Sequence, residues 1–480
     1  MPEQASRRRY LILAICCMSL LIVGLDNTIV NVALPSIRHD LHASVSGLQW
    51  TVAAYTLVLA SLLMLSGSTA DRIGRRRIFQ TGLVMFTGGS LLCSVAPSLG
   101  WLIVFRMVQA IGGSMLNPVA MSIITNTFTD RAERARAIGI WGGVIGISMA
   151  LGPVVGGALV ASVGWRGIFW VNVPIGLAGA VLTRLFVPES RAPRPRKLDP
   201  VGQVLVIVVL GALTYGIIEG PGSGWGSAKI IFLFALAVGA LTGLVWYERR
   251  RDEPLIDVRF FSSAPFAGAT LTAVSAFAAL GGFLFVNTLY LQDARGLSAL
   301  HAGLYTLPMA GMTVIFGPLS GRIVASRGAR LPLVVAGAAI AAGCGLLTGI
   351  TNATSASWLF LAYVIFGIGF GLVNAPITNA AVSGMPVAQA GVAAGLASAS
   401  RQIGQSLGVA LVGSLVTAGL HGSMRTSFAT ASHLGWWVLA GCGGAVFVLG
   451  VITTGRWALG TAARTAARLA PEETRTPVRT

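Results

Sequence analysis

The sequence predicts an all-α polytopic membrane protein of fourteen spans. Three observations point there. Of 480 residues, 54% are hydrophobic and only 10% charged, whereas soluble domains carry about 25% charged residues; mean hydropathy is +0.77. Apolar stretches long enough to cross ~30 Å of hydrocarbon alternate with arginine clusters. Finally, the chain repeats itself, and the repeat groups the spans.

The spans fall near residues 10–37, 47–68, 78–96, 101–126, 137–161, 167–187, 201–219, 230–247, 265–291, 301–323, 331–350, 357–381, 390–419 and 434–456. The first follows Arg7-Arg8-Arg9 and runs through Asp26 to Pro35 with no A-x-A cleavage site, so it reads as an uncleaved helix and not a signal peptide. The second and third are joined by a charged turn, Asp71 to Arg77, and the fourth carries Arg106 in an apolar setting. In the fifth, Gly139, Gly142, Gly143, Gly146, Gly152, Gly156 and Gly157 leave little side chain, which permits close helix approach and a kink at Pro153. The sixth opens on Trp165-Arg166. The seventh ends at Glu219, placed on a solvated rim, and Asp293 is expected in the loop after the ninth. The tenth to twelfth carry the second copy of the repeat, the thirteenth holds Arg401 about eleven residues in, and the fourteenth leads to a basic tail.

The net charge is +18, and all the basic residues except Lys197 and Lys229 are arginine. They cluster at Arg7 to Arg9, Arg72 to Arg77, Arg131 to Arg136, Arg184 to Lys197, Arg249 to Arg259, Arg322 to Arg330 and Arg456 to Arg479. These are the N-terminus, the connection after every second span, and the C-terminus, which is the positive-inside pattern of a plasma-membrane protein with both termini cytoplasmic. Nucleic-acid binding is not needed to explain the charge. Cys16, Cys17, Cys93, Cys344 and Cys442 lie in apolar spans with no metal-type spacing, so no disulfide, metal or other cofactor is expected. A membrane enzyme would need a catalytic cluster, yet there is no HExxH, no paired intramembrane aspartates and no GxxxxGK[ST] loop.

Gly67-Ser-Thr-Ala-Asp71-Arg72-Ile73 is echoed by Gly317-Pro-Leu-Ser-Gly321-Arg322-Ile323, and Ile111 to Pro118 by Ile368 to Pro376. Two six-helix bundles follow, residues 1–190 and 261–457, with two inserted spans in 191–260 and a disordered cytoplasmic tail, 458–480. Parallel halves of this kind carry a binding site near the midplane between them.

A charge near the bilayer centre costs roughly 2.5–3.5 kcal/mol on insertion scales, so an intramembrane acid is a functional candidate. Asp26 lies about 16 residues past Tyr10, roughly 24 Å along a helix, and Arg106 is placed at a similar depth from the opposite direction. Together they form the candidate proton-coupling pair, with Glu219 as the alternative acid. On the helical wheel, Gly24, Asn27, Thr28, Asn31 and Pro35 share one face and Asp26 falls nearly opposite. That stripe is assigned to helix contacts and Asp26 to the central cavity. Tyr55, Asn287, Asn374 and Arg401 are candidate cavity residues.

Five segments together resemble one family. Leu25 to Pro35 is similar to the first-helix motif of the fourteen-helix drug:proton antiporters of the major facilitator superfamily, the EmrB/QacA type. Gly67-x3-Asp71-Arg72-x-Gly74-Arg75-Arg76 resembles the superfamily's loop between helices 2 and 3. Arg106-x2-Gln109-Ala110-x-Gly112 resembles the basic motif of helix 4, with Ala110 where Gly is usual. Gly152-Pro153-x2-Gly156-Gly157 resembles the antiporter motif of helix 5, with Ser148 where the longer pattern has Gly. Trp165-Arg166 to Pro174-x-Gly176 is similar to the start of helix 6 in this subfamily. The resemblance implies proton-driven efflux of small amphipathic drugs or antibiotics by alternating access, a monomer in the lipid bilayer, and no cofactor beyond the proton gradient. It implies proton coupling at Asp26 and Arg106, and gating at Gly67, Asp71, Arg72, Gly74, Arg75 and Arg76; by its charge, Asp71 is expected to act as a cytoplasmic latch, pairing with Arg134, Arg136 or a helix N-terminus when the inner side is closed. A single cavity acid favours a cationic or neutral substrate. The alternatives are a lipid exporter or uptake symporter of the same superfamily and, behind them, a membrane enzyme.

Overall fold

A computed structural model describes residues 2–193, 197–251, 253–383, 385 and 387–469. Among these, all regular structure is helical. The helices are α1 (Pro2–Asp40), α2 (Val45–Ile73), α3 (Arg75–Ser94), α4 (Leu99–Thr127), α5 (Arg131–Val163), α6 (Gly167–Trp170) and α7 (Asn172–Phe186). There follow α8 (Pro200–Ser223), α9 (Ala228–Glu248), α10 (Ala264–Leu289), α11 (Ala299–Tyr305), α12 (Leu307–Arg327), α13 (Arg330–Gly345), α14 (Ala356–Val382), α15 (Val387–Gly419), α16 (Met424–Ile452) and α17 (Arg456–Leu469). Eleven helical stretches among the described residues are long and apolar enough to cross a membrane, and α13 is a shorter apolar helix.

Local chemistry sets several boundaries. Ser44, Ser298 and Ser355 turn their hydroxyls onto backbone amides three residues on, opening α2, α11 and α14. Asp199 does the same for α8, with Pro200 in the first turn, where its missing N–H costs nothing. The α2–α3 turn needs Gly74: its φ is 132°, and a Cβ there would lie 2.7 Å from the Glu189 carboxyl carbon.

Packing pairs the helices in two matching sets. α1 packs on α5, α2 on α4, and α3 on α4 and α7; likewise α10 packs on α15, α12 on α14, and α13 on α14 and α16. The sets meet along two seams, α2 against α15 and α5 against α11 and α12. Of the inserted pair, α8 lies on α2 and α15, while α9 rests on α8. Trp50 Nε1 donates to Glu219 Oε1 at 2.9 Å and Gln203 Nε2 to the Ser61 carbonyl at 2.6 Å, tying α8 to α2. Glu219 is half-buried near the end of α8 and bonded to a partner remote in sequence.

The sets are joined at the end of the bundle away from the N-terminus. There Gln49 Nε2 donates to the Val409 and Ala410 carbonyls at 3.2 and 2.8 Å, Gln292 Nε2 donates to the Val32 carbonyl at 2.8 Å, and Arg38 pairs with Asp293 at 3.5 Å. Asp293 is thus not in a loop: it sits in a π-helical turn, Tyr290–Ala294, continuing α10, because Arg38 gives its carboxylate a partner across the seam. At the opposite end, the ion pairs Arg9–Glu133, Asp71–Arg75 and Arg77–Glu189 each stay within the first set.

The expected disordered tail is instead helical as far as Leu469. Ala458, Thr461, Ala462, Thr465 and Leu469 form its buried face, and the Thr461 hydroxyl accepts the Ala264 amide at 2.9 Å at the start of α10. Residues 470–480 lie outside the described residues.

Candidate functional site

Asp26 is completely buried, but inside the first set of helices and not at a cavity between the sets. Arg106 Nη1 meets Asp26 Oδ2 directly and also donates to Gln109 Oε1 at 2.8 Å. Gln109, one helical turn along α4, returns its amide to Asp26 Oδ1 at 2.9 Å, and Asn172 Nδ2 reaches the same oxygen at 3.1 Å. The carboxylate therefore accepts from three side chains on two helices. Arg106 Nε donates to the Thr51 carbonyl at 3.4 Å, and the guanidinium lies 4.0 Å from the Tyr55 ring centre and 5.9 Å from that of Phe169. Ser90 completes the cluster, taking Asn172 Nδ2 at 3.1 Å and donating to the Phe169 carbonyl at 2.9 Å.

The wheel places Asp26 opposite the Gly24–Thr28 stripe, and the structure shows what each face meets. Gly24 approaches Ser148, while Gly152 and Gly156 approach Thr28 and Ile29, so the stripe packs on α5. The acid faces α4 and α7, where neutral amides and one guanidinium satisfy it; burial without those donors would cost several kcal/mol. Tyr55 and Asn287 are corrected for the same reason. Tyr55 is fully buried beneath Arg106, and Asn287 is buried with its Oδ1 taking the Tyr363 hydroxyl, so neither lines a cavity wall. Gln109 and Asn172 belong to motifs visible in the sequence but were not singled out as site residues; Ser90 and Thr51 had no signal, being common neutral polar residues of membrane helices.

A small apolar cavity does lie between the sets, lined by Thr28, Met149, Leu284, Met309, Thr313 and Phe370 among others. Asn374 lies one turn from Phe370 on α14, half-buried. Arg401 is also half-buried, and its Nη2 donates to Thr378 Oγ1 at 2.6 Å.

The charged turn is bound to the segment after α7 in this conformer: the Arg75 amide donates to the Ser190 carbonyl at 2.9 Å and the Ala192 amide to the Asp71 carbonyl at 3.0 Å. Asp71 Oδ1 accepts from Arg75 Nε and Nη2 at 3.0 and 2.8 Å, not from Arg134 or Arg136, and Glu189 accepts the Arg76 amide at 3.1 Å. Arg72 is exposed, and Gly67 faces Pro118 of α4. The Gly-Pro segment bridges the sets: Gly152 and Gly156 seat α1, whereas Gly157 abuts the Ala299 backbone and Pro153 the backbone of Gly303 on α11.

Comparison with known proteins agrees with this architecture. The chain is 37% identical over 426 residues to the multidrug resistance protein Stp of Mycobacterium tuberculosis strain CDC 1551, covering 88% of this chain and 78% of that one. It is 37% identical over 401 residues to the tetracenomycin C resistance and export protein of Streptomyces glaucescens, covering 83% and 74%. The solved D-xylose-proton symporter superposes with a TM-score of 0.66 at 15% identity, covering 93% of this chain and 98% of that one, a likeness of fold. Its relatives are thus drug and antibiotic resistance proteins, and its apolar helices make it a multi-pass protein of the plasma membrane. Residues 16–409 match the model of the Major Facilitator Superfamily, and the chain belongs to that superfamily of membrane transporters.

Proposed function

We propose that this chain exports amphipathic drugs or antibiotics across the plasma membrane in exchange for protons, as a fourteen-helix member of its superfamily with both termini cytoplasmic. On this reading residues 1–190 and 261–457 are the two moving bundles, 191–260 the inserted pair, and the transporter works as a monomer without a cofactor. The relatives named as resistance and export proteins support efflux. The observation that carries proton coupling is the buried carboxylate of Asp26, held by Arg106, Gln109 and Asn172.

With the N-terminus inside, the joined end of the bundle is the outer side, and this conformer loads from the cytoplasm. A proton reaching Asp26 cancels the charge that three donors hold. Arg106 then keeps Gln109, the Thr51 carbonyl and the Tyr55 ring, and the charge attraction that holds α1 to α4 is lost. α1 seats on Gly152 and Gly156 of α5, and α5 in turn presses Pro153 and Gly157 on α11 across the outer seam. A change at Asp26 thereby reaches the contact that separates inward from outward. The driving force is the membrane gradient, about 2.3 kcal/mol per charge per 100 mV.

The test is expression of the chain in an efflux-deficient host with susceptibility profiling, paired with inverted vesicles in which substrate addition is followed by internal pH. Resistance with substrate-linked proton movement is expected. Resistance with none would remove proton coupling while leaving efflux; no resistance to any compound would remove both.

A further inference from the structure

Arg401 is a cation in the middle of α15 with no carboxylate against it among the described residues. Its Nη2 is satisfied by Thr378, its Nε is buried without a partner, and its guanidinium carbon lies 5.9 Å from the Phe277 ring centre. Those neighbours connect it to the central cavity. Phe277 is one turn from Leu280 on α10 and packs edge-on against Phe370 at 5.2 Å, and both Leu280 and Phe370 line the cavity. On α14, Phe370, Asn374 and Thr378 follow at four-residue steps along one face. Arg401 is thus linked to the apolar cavity by a run of side chains, through Phe277 to Phe370, with Thr378 as its polar partner toward the cytoplasmic end. The acid that favoured a cationic or neutral substrate, Asp26, is not there: it is enclosed in the first bundle and neutralised by Arg106.

We infer that Arg401 is a substrate-binding residue and that the site takes amphiphiles bearing an anionic group, a carboxylate, sulfonate or ionised phenol, beside an apolar ring system. The anion meets the guanidinium, whose planar fork suits a two-oxygen acceptor, and the ring system packs on Phe277 beside it. The inference deepens the efflux reading and rests on it.

The experiment uses the full chain in phosphatidylcholine nanodiscs with two fluorescent probes of one skeleton, 8-anilinonaphthalene-1-sulfonate and uncharged N-phenyl-1-naphthylamine, each corrected against empty discs. Wild type should bind the sulfonate at least tenfold more tightly than the amine. Arg401→Gln should remove that advantage while the amine's Kd stays within twofold, which also shows that the variant is folded; Arg401→Lys should keep part of it. Equal affinity of wild type for both probes, or an equal loss of both in Arg401→Gln, overturns the inference. Discs containing phosphatidylglycerol separate the sources of the anion: competition by that lipid assigns Arg401 to a headgroup and overturns the substrate assignment. Export of cationic compounds in the susceptibility assay with no Arg401-dependent sulfonate binding leaves efflux standing and sinks this inference alone.

Discussion

Gly303 lies on the outer seam, and substituting it tests whether that seam sets the conformer. A Cβ at Gly303 would fall 2.3 Å from the Pro153 carbonyl oxygen and 2.9 Å from its carbon, whereas ordinary contact begins at 3.4 Å. Gly303→Ala therefore requires α5 and α11 to part by about 1 Å, and both obstructing atoms are backbone, which cannot rotate away. Overpacking of this kind costs about 1–3 kcal/mol. That cost falls only on the conformer in which the two helices touch, so the inward–outward ratio should shift toward outward by about 5- to 150-fold. Gly156→Ala is the control. Its Cβ would meet Ile29 Cγ1 at 2.7 Å and the Ile29 carbonyl at 3.1 Å, a clash of similar size inside one bundle and so common to both conformers. Spin-label distances across each end of the bundle, with thermal stability measured in parallel, provide the assay. Gly303→Ala should shorten cytoplasmic and lengthen outer distances with little loss of stability, and Gly156→Ala should lose stability with its distances unchanged. Unchanged distances in Gly303→Ala, or equal shifts in both variants, would refute the seam as the element that sets the conformer.

Asp26→Asn should abolish substrate-induced proton release from inverted vesicles while the protein still inserts; full coupled exchange would remove Asp26 from the mechanism. It also leaves Arg106 buried without its counter-charge, a loss of about 3–5 kcal/mol, so adding Arg106→Gln should restore part of the stability, and purely additive losses in a double-mutant cycle would contradict direct coupling. Glu219→Gln preserves an oxygen for Trp50 and should leave proton release within about twofold of wild type; a loss matching that of Asp26→Asn would shift the proton site to α8. Asp71→Asn should cost some stability in this conformer, since it removes a carboxylate that takes two hydrogen bonds from the largely buried Arg75 side chain, and it should lower turnover and raise labelling of cavity cysteines from the cytoplasmic side. Unchanged labelling would leave the turn with a topogenic role only.

Charge was the most readable part of this chain. Asp26 and Arg106 stand out because each interrupts an apolar run, and helix rise alone places them at one depth; the structure brings them into contact. Direction was harder to read. A wheel tells that Asp26 lies opposite Thr28 but not which face meets a neighbouring helix and which meets the gap between bundles, so the acid was assigned to the cavity when it is enclosed. Tyr55 and Asn287 failed alike, since a polar group on a membrane helix satisfies itself as readily against another helix as against a ligand. Asn172 and Ser90 make the site with neutral groups that composition does not distinguish. The helix after residue 456 has its 3.6-residue period written in Ala458, Thr461, Ala462 and Thr465, residues too small and polar to register as an apolar stripe.

The placement of α8 gives the molecule a blocked flank and an open one. It covers the seam between α2 and α15, while the cavity between the bundles takes its walls from α1, α5, α10, α12 and α14 and none from the covered pair. The near-twofold arrangement of the bundles is therefore not matched by the surface they offer to lipid. A greasy molecule dissolved in the bilayer meets a barrier of two additional helices on the α2–α15 side, and any sideways passage to the cavity is left to the α5–α12 side. For cargo arriving through the bilayer, this packing predicts approach from the α5–α12 side, with the inserted helices clear of the cavity.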